Sequence, residues 1–341
     1  MATPADETHR RPVAAFAMRA DLPAQLFSPA DLDRLTRLFD IDTTRTIVDF
    51  SPVAPAELAG IDVLITGWGS PHIGAVQLDA MPRLRGIFHA AGTVKDHLDH
   101  AAWDRGIRVT SAASANAYPV AEYTLAMILL AGKRVPDSIR GYAEDPSIYF
   151  DSTDAAIGNY QRTIGIVGAS RVGRRVIELL RPFDVEVLLY DPHLSPGDPV
   201  LSDATAVGID ELFAASSVVS IHAPLLPETR GMIGRDQLSL LPDGATVINT
   251  ARAPIIDQDE LETAVRERGI RAILDVSDPE PLPADHPLRS MAGVVLTPHI
   301  AGALGNELRR LGECATREAE LFVAGEPAEH PVTKDALIAV A

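Results

Sequence analysis

Short apolar runs alternate with amphipathic segments along most of this 341-residue chain. Apolar runs of this length are typical of buried strands, and strands that alternate with helices are typical of parallel sheets. The pattern therefore predicts an α/β fold. The predicted strands cover residues 13–18, 61–66, 84–89, 107–111, 162–167, 185–190, 218–221, 245–249, 270–275 and 294–297.

Helices are predicted between these strands. One begins at Ser28, where a serine N-cap is followed by Pro29 at the first helical position. The others cover residues 120–130, 174–180 and 304–323, and the last of them ends before Gly325. Residues 136–161 are rich in polar and turn residues, which predicts a surface connection.

Length, charge and cysteine content narrow the class of protein. The chain is too long for one ordinary core, which predicts two domains. Its net charge of -17 disfavours binding to nucleic acid or an anionic membrane, because no basic run offsets it. The N-terminal residues do not resemble a signal peptide, and no apolar stretch approaches a membrane span. The single cysteine, Cys314, fits a reducing compartment. We therefore expect a cytoplasmic protein.

Arg252, Glu280 and His299 each follow one of the last three predicted strands. The loops after the carboxyl ends of parallel strands converge on one crevice, so these three side chains are predicted to meet. A cation can anchor an anionic substrate, an imidazole can exchange a proton, and a carboxylate can keep that imidazole charged. The set predicts acid-base chemistry on a small anion.

The turn Gly168-Ala169-Ser170-Arg171-Val172-Gly173 lies between a predicted strand and a predicted helix. It matches the dinucleotide fingerprint except that Ser170 stands at the second glycine position. Gly168 and Gly173 would allow the tight turn and the close packing, while amides at the helix N-terminus hold a pyrophosphate. The alternative interpretation is an ordinary turn between a strand and a helix.

Asp191 ends the next predicted strand, at about the distance expected for a ribose-binding carboxylate. Such a carboxylate accepts hydrogen bonds from ribose hydroxyls and repels a 2'-phosphate. No arginine lies within residues 192–199. The sequence therefore favours NAD over NADP, with a solvated aspartate as the alternative.

The histidines outside this set do not suggest a metal. His89, His97, His100 and His286 lack metal-like spacing with cysteine or carboxylate partners. We predict packing or surface roles for them and no metal site.

Several segments resemble the D-isomer-specific 2-hydroxyacid dehydrogenases. They are SVVSIHAPL at 217–225, PETRG at 227–231, INTAR at 248–252, LDV at 274–276, PEPL at 279–282 and TPHIAG at 297–302. The resemblance runs from about residue 90 to residue 302.

The resemblance implies two Rossmann-like or flavodoxin-like α/β lobes with parallel sheets and an active cleft between them. One lobe would comprise 1–116 with 304–341 as the discontinuous substrate lobe, and 117–303 would form the NAD-binding lobe. The family is usually dimeric through the nucleotide lobe, so a homodimer is expected.

By the same resemblance, Arg252 binds the substrate, His299 exchanges the proton and Glu280 orients and charges His299. The implied NAD contacts are Gly168, Ser170, Arg171, Val172, Gly173, Asp191, His222, Ala223, Pro224, Thr229, Thr250, Ala251, Arg252, Asp275, His299 and Gly302. The implied substrate contacts are Ala91, Gly92, Thr93, Lys95 and Arg252.

Other functions stay open at this level. Oxidation of another small anion, such as phosphite or a phosphonate-bearing acid, is one, and an NADH-sensing interaction protein similar to the family's corepressors is another. The chain departs from the family at Ser170 and at Ala253-Pro254, where a glycine usually follows the arginine. Glu280 argues against a formate dehydrogenase, which has glutamine at that position.

Overall fold

A computed structural model of the chain describes residues 10–145, 147 and 157–335. Its strands are β1 (Ala14–Ala17), β2 (Thr46–Ile47), β3 (Val63–Thr66), β4 (Gly86–His89), β5 (Arg108–Ser111), β6 (Arg162–Val167), β7 (Val185–Tyr190), β8 (Thr205–Ala206), β9 (Val218–Ile221), β10 (Thr246–Asn249), β11 (Arg271–Leu274) and β12 (Val294–Leu296).

Helices connect most of these strands. They are α1 (Leu22–Leu26), α2 (Pro29–Leu38), α3 (Pro55–Leu58), α4 (Ala75–Ala80), α5 (Ala101–Asp104), α6 (Ala113–Gly132), α7 (Val135–Glu144), α8 (Arg171–Leu180), α9 (Ile209–Ala215), α10 (Arg235–Leu240), α11 (Gln258–Arg268) and α12 (Leu308–Ala324). The chain divides into two compact units, the first comprising residues up to Asn116 together with those from Ala303 onward, and the second Ala117–Gly302.

The first unit is built on a five-stranded parallel sheet in the order β2-β1-β3-β4-β5. Apolar side chains cover both faces, with Phe16 and Phe88 on one and Leu64 and Ile87 on the other. Helix α12 packs against the first of these faces through buried residues such as Leu311. The parallel order explains why the three central strands β1, β3 and β4 are mostly apolar, since both faces are buried.

The second unit is built on a seven-stranded parallel sheet in the order β12-β11-β10-β9-β6-β7-β8. The order reverses between β6 and β9, so the loops after these two strands open away from each other. In open α/β sheets ligands bind at such a switch point, outside the carboxyl ends of the strands. The fingerprint turn follows β6, which places it at this point.

The predicted α/β class with parallel sheets is confirmed, and every predicted strand is present within one or two residues at each end. Strands β6, β7 and β9 have the predicted bounds. Ser28 caps α2 and forms a reciprocal capping box with Asp31.

Three helix predictions are wrong in extent. Helix α6 begins at Ala113, well before the predicted residue 120, and passes through Pro119, although proline usually starts or breaks a helix. Helix α8 begins at Arg171 instead of residue 174. Helix α12 begins at Leu308, because a short 3-10 turn at Gly305–Glu307 occupies its predicted start.

The predicted surface connection at 136–161 is wrong for its first part, which belongs to helix α7. Pro136 lies in the first turn of α7, where a proline is tolerated because the N–H groups there have no acceptor within the helix. Residues 146 and 148–156 of the predicted connection lie outside the described residues.

Within the described ranges, no helix combines the length and the apolar character needed to cross a bilayer. The same residues contain no cluster of three or more histidine, cysteine or carboxylate side chains arranged to hold a metal ion.

Two buried histidines lie at the end of β4 and on the loop that follows it. The rings of His89 and His97 are tilted by 33° with centroids 4.6 Å apart, and His89 Nδ1 lies 2.9 Å from Thr66 Oγ1. Burial lowers the pKa of His97 to about 4, and burial together with His97 lowers the pKa of His89 well below its ordinary value. Both imidazoles are therefore neutral at neutral pH.

This burial makes stability depend on pH. Above the unfolded-state pKa of about 6.5 neither the folded nor the unfolded chain binds these protons. As the pH falls towards 4, the unfolded chain takes them up and the folded chain does not, so stability decreases. Each group contributes a slope of at most about 1.4 kcal/mol per pH unit. We expect His97→Gln to show a shallower loss of unfolding free energy between pH 7 and pH 5.

Urea unfolding of wild type and His97→Gln at several pH values measures this slope. His193→Gln is the matched control, because His193 is exposed. If the unfolding free energies of wild type and His97→Gln decreased equally as the pH falls, the proposed effect of buried His97 on stability would be contradicted.

Candidate active site

The turn between β6 and α8 is closed by backbone on two sides. Gly168 has a φ of +102°, a conformation that residues with side chains rarely adopt. A Cβ at Gly168 would also lie 2.6 Å from the Ala223 nitrogen, and a Cβ at Gly173 would collide with the Gly168 carbonyl oxygen. Only glycine fits at both fingerprint positions that the sequence retains.

Ser170 is the N-cap of α8. Its Oγ accepts a hydrogen bond from the Gly173 N–H at 3.3 Å, and Arg171 and Val172 form the start of the helix. The first N–H groups of a helix have no acceptor within it and carry partial positive charge. The serine at the second glycine position therefore organises the helix N-terminus that would receive a pyrophosphate.

Asp191 ties the loop after β7 to this turn. Its Oδ2 accepts from the Ala169 N–H at 2.7 Å, and its Oδ1 accepts from the His193 N–H at 2.9 Å. Each carboxylate oxygen has two lone pairs, so capacity for ribose hydroxyls remains. The turn, the helix N-terminus and this carboxylate together fit a dinucleotide.

An arginine that the sequence argument overlooked reaches the same loop. Arg174 of α8 donates to the Ala169 carbonyl at 2.8 Å and binds both oxygens of Asp198 at 2.5 and 2.7 Å. The ion pair lowers the pKa of Asp198 to about 2. Because Asp198 engages this guanidinium at two nitrogens, Arg174 is not an open cation for a 2'-phosphate.

The segment after β9 supports the turn from beneath. The imidazole of His222 is buried and lies 2.9 Å from Ser220 Oγ, and burial lowers its pKa to about 3. Backbone atoms of His222 and Ala223 lie against the Gly168 turn, while the imidazole lies beside Ser220. Thr229 closes the following loop, with its Oγ1 donating to the Pro224 carbonyl at 2.6 Å.

The turn that carries His299 is held by Asp275. Asp275 Oδ1 accepts from Thr297 Oγ1 at 2.6 Å and the Ile300 N–H at 2.8 Å, and Oδ2 accepts from the Ala301 N–H at 2.8 Å. His299 has a φ of +56°, which is uncommon for a residue with a side chain. Its N–H donates to the Asp275 carbonyl at 3.0 Å. Buried Asp275 thus fixes the backbone through Ala301, just before Gly302.

Glu280 and His299 are in contact, as the sequence predicts, while their role as an acid-base pair stays a prediction. The distance from His299 Nδ1 to Glu280 Oε1 is 2.7 Å, and both side chains are partly exposed. The Glu280 loop is held in turn by Gln258, whose side-chain amide donates to the Asp278 carbonyl at 2.9 Å and accepts from the Asp278 N–H at 3.2 Å.

Arg252 lies on a loop that Asn249 holds. Asn249 Oδ1 accepts from the Ala251 N–H at 3.0 Å, and its Nδ2 donates to the Arg252 carbonyl at 3.0 Å. The half-buried Arg252 donates from its guanidinium to the Ala251 carbonyl at 2.7 Å. Thr250, between them, contacts Thr124 of α6 with 3.1 Å between the two hydroxyl oxygens.

The remaining predicted substrate contacts lie in the first unit, on the loop after β4. Ala91 is buried, Gly92 and Thr93 are half-buried, and the Lys95 N–H donates to Thr93 Oγ1 at 3.2 Å. Binding of a substrate by these residues stays a prediction.

Besides Arg174, sequence reasoning missed the supporting residues Asn249, Gln258 and Tyr123. The role of Asn249 could have been predicted, because a buried amide at the end of a strand needs hydrogen-bond partners in the adjacent loop. Tyr123 offered a weaker signal, a hydroxyl in an apolar helix, and its Oη lies 2.8 Å from Thr297 Oγ1. Gln258 gave no signal in the sequence.

The fold and the fingerprint turn define a dinucleotide-binding α/β protein, and the comparisons with known proteins narrow this class. Residues 125–301 match the family model described as D-isomer specific 2-hydroxyacid dehydrogenase, NAD binding domain. The chain belongs to this family.

Among relatives, it is 35% identical over 273 residues to a glyoxylate reductase of Thermofilum pendens, covering 78% of this chain and 79% of that protein. It is 32% identical over 256 residues to a D-3-phosphoglycerate dehydrogenase of Mycobacterium tuberculosis, covering 74% of this chain but 48% of that protein. The aligned region thus spans about half the length of the latter. The structure of the TT0316 protein from Thermus thermophilus is similar, with a TM-score of 0.73, 30% identity and coverage of 94% of this chain and 100% of that chain.

Proposed function

We propose that the protein is an NAD-dependent oxidoreductase that transfers a hydride between the cofactor and C2 of a small 2-oxo or 2-hydroxy acid. The observation that carries this proposal is the 2.7 Å contact between His299 Nδ1 and Glu280 Oε1. Because Nδ1 faces the carboxylate, Nε2 is left to exchange a proton with the substrate oxygen. Membership of the family and the names of its relatives support the same reaction class.

In this mechanism the nicotinamide, when bound, supplies or accepts the hydride. Glu280 favours the charged imidazolium, so His299 donates the proton when a 2-oxo acid is reduced. Arg252 binds the substrate carboxylate, since a guanidinium forms paired, charge-assisted hydrogen bonds with carboxylates. Asn249 and Asp275 keep the two loops in place, which limits the reorganisation needed at the moment of reaction.

NAD is the proposed cofactor because of the position of Asp191. Its carboxylate already orders the fingerprint turn through the Ala169 N–H, and its remaining lone pairs suit ribose hydroxyls. A 2'-phosphate at the same place would meet this negative charge, and Asp198 occupies the nearby guanidinium of Arg174.

We further propose that the protein is a homodimer through the second unit. No residue of α7 is buried, and its side chains Ile139 and Tyr142 are 68% and 62% exposed. They lie three residues apart and so share one face of the helix. Tyr118 and Leu130 of α6 are exposed as well. A second copy of this chain would cover these apolar side chains.

The reaction is tested by following NADH oxidation with a panel of 2-oxo acids. The panel contains glyoxylate, hydroxypyruvate, its 3-phosphate, phenylpyruvate and phosphonopyruvate, with phosphite and NAD as a separate assay. Turnover of phosphite alone would favour oxidation of another small anion. Tight NADH binding without turnover of any compound would favour an NADH-sensing interaction protein.

The proton relay is tested by Glu280→Gln. The variant keeps the shape of the side chain but loses the charge that favours the imidazolium, so the turnover number for 2-oxo acid reduction should fall at least about tenfold. Glu211→Gln, an exposed position on α9, is the matched control. A turnover number identical to wild type would remove Glu280 from the relay.

The role of Asp191 is tested by comparing Asp191→Ala with Asp191→Asn. Wild type should bind NAD more tightly than NADP. Both variants should narrow this preference, and Asp191→Ala should weaken NAD binding by about tenfold, equivalent to about 1.4 kcal/mol. Asparagine keeps one acceptor for the Ala169 N–H, so it should retain more NAD affinity. Equal affinity of wild type for the two cofactors, measured by fluorescence titration, would contradict the role.

The proposed dimer is tested by Ile139→Asp. A carboxylate on the exposed face of α7 would be buried without a partner in the interface, so the variant should be monomeric. Light scattering after gel filtration measures the mass. Val76→Asp is the control, because Val76 is 75% exposed but lies on α4 of the first unit. A wild-type mass equal to one chain would refute the dimer.

A further inference from the structure

Two consecutive residues of α6 reach the loops that carry the proposed site residues. Tyr123 Oη lies 2.8 Å from Thr297 Oγ1, and Thr124 Oγ1 lies 3.1 Å from Thr250 Oγ1. Thr297 precedes His299 by two residues, and Thr250 precedes Arg252 by two. One turn of α6 therefore braces the loop after β10 and the loop after β12 together.

The direction of the Tyr123 hydrogen bond follows from the acceptors around it. Asp275 takes the hydroxyl proton of Thr297 over 2.6 Å, because a carboxylate can only accept. A threonine hydroxyl has a single proton, so Thr297 has none left for Tyr123. Tyr123 must therefore donate to Thr297, and the three groups form a chain in which each hydroxyl donates towards Asp275.

Burial keeps the Tyr123 hydroxyl protonated, so that it can donate a hydrogen bond. Tyr123 is half-buried, and desolvation, together with the negative charge of Asp275, raises its pKa above the ordinary value. The phenol thus stays protonated through the neutral and moderately alkaline range. A hydroxyl that donates to the oxygen of Thr297 also strengthens the bond from Thr297 to Asp275, because chained hydrogen bonds polarise one another.

The chain ends on the group that holds the His299 turn. Asp275 receives the Ile300 and Ala301 N–H groups, which flank His299 on its C-terminal side. The positive φ of His299 is costly for a residue with a side chain and persists only where surrounding contacts maintain it. Loss of one contact in the chain would let the turn relax and would move Nδ1 relative to Glu280.

We propose that Tyr123 is a positioning residue for His299, acting through Thr297 and Asp275. Its hydroxyl bonds Thr297, so it would act on His299 through other residues. The proposal rests on the proposed role of His299 as the proton donor. It predicts that removing a single hydroxyl on α6 reduces the rate of proton transfer without reducing the affinity for NAD.

The first experiment measures kinetics of Tyr123→Phe with the best 2-oxo acid of the panel. We expect the turnover number to fall by about fivefold, the effect of one neutral hydrogen bond, with KM and the NAD dissociation constant changed less than twofold. Tyr160→Phe is the matched control, because Tyr160 is 74% exposed. An unchanged turnover number with a lower melting temperature would make Tyr123 a packing residue and overturn the proposal.

A double-mutant cycle tests whether the effect passes through Thr297. Thr297→Val removes the hydroxyl at constant shape, and Thr297→Ser keeps the hydroxyl and should retain most of the turnover. In the Thr297→Val background, Tyr123→Phe should cause little further loss. An undiminished fivefold loss in that background would show that Tyr123 acts by another route.

A third readout does not require catalysis. The imidazole signal of His299, assigned by its absence in His299→Gln, can be followed by NMR at a fixed pH. In Tyr123→Phe its chemical shift should change, because a relaxed turn moves the ring relative to Glu280, while Tyr160→Phe should leave it in place. If wild type turns over no acid but this shift occurs, the proposed function fails and the positioning role stands. No shift in Tyr123→Phe would overturn the positioning role itself.

Discussion

The buried carboxylate of Asp275 is the group on which the geometry of the proposed site depends. It lies at the end of β11, between the strands that lead to Arg252 and to His299. It accepts one hydroxyl and two backbone N–H groups from a single turn. A buried carboxylate is costly unless its lone pairs are satisfied, and here the satisfaction comes from the turn itself. The Asp275 carboxylate can be buried only because the turn donates to it, and the turn is held only because Asp275 accepts these hydrogen bonds.

The same dependence on internal contacts governs the dinucleotide end of the sheet. The turn after β6 lies against the start of α8 and the backbone after β9. There is no room for a side chain at Gly168 or Gly173. Ser170 caps the helix, and Asp191 holds the Ala169 amide. These residues, which the sequence associates with a cofactor, thus have contacts within the protein that order the site before any ligand arrives.

The loops that carry Arg252 and Glu280 are also held by side-chain hydrogen bonds, which come from neutral amides instead of carboxylates. Asn249 binds the backbone on both sides of the Arg252 loop, and Gln258 binds Asp278 at both its N–H and its carbonyl. An amide side chain can donate one hydrogen bond and accept another at the same time. One amide residue therefore satisfies both an N–H and a carbonyl of the loop backbone. The charged groups themselves remain partly exposed, which leaves them available to a ligand.

The sequence by itself determined the strands and the parallel class, and it predicted the edge of the sheet at which Glu280 and His299 meet. Apolar runs are local signals, and the residues after them must lie at one edge of a parallel sheet, so Glu280 and His299 could be predicted to meet. Ser28 could be predicted as a cap because capping depends on adjacent residues. Only the tertiary structure decided that the imidazole of His222 is buried beside Ser220 and that no residue of α7 is buried. It alone paired Tyr123 with Thr297, which are 174 residues apart. Such contacts depend on the packing of a helix across strand ends, and no local pattern of residues records which side chains that packing brings together.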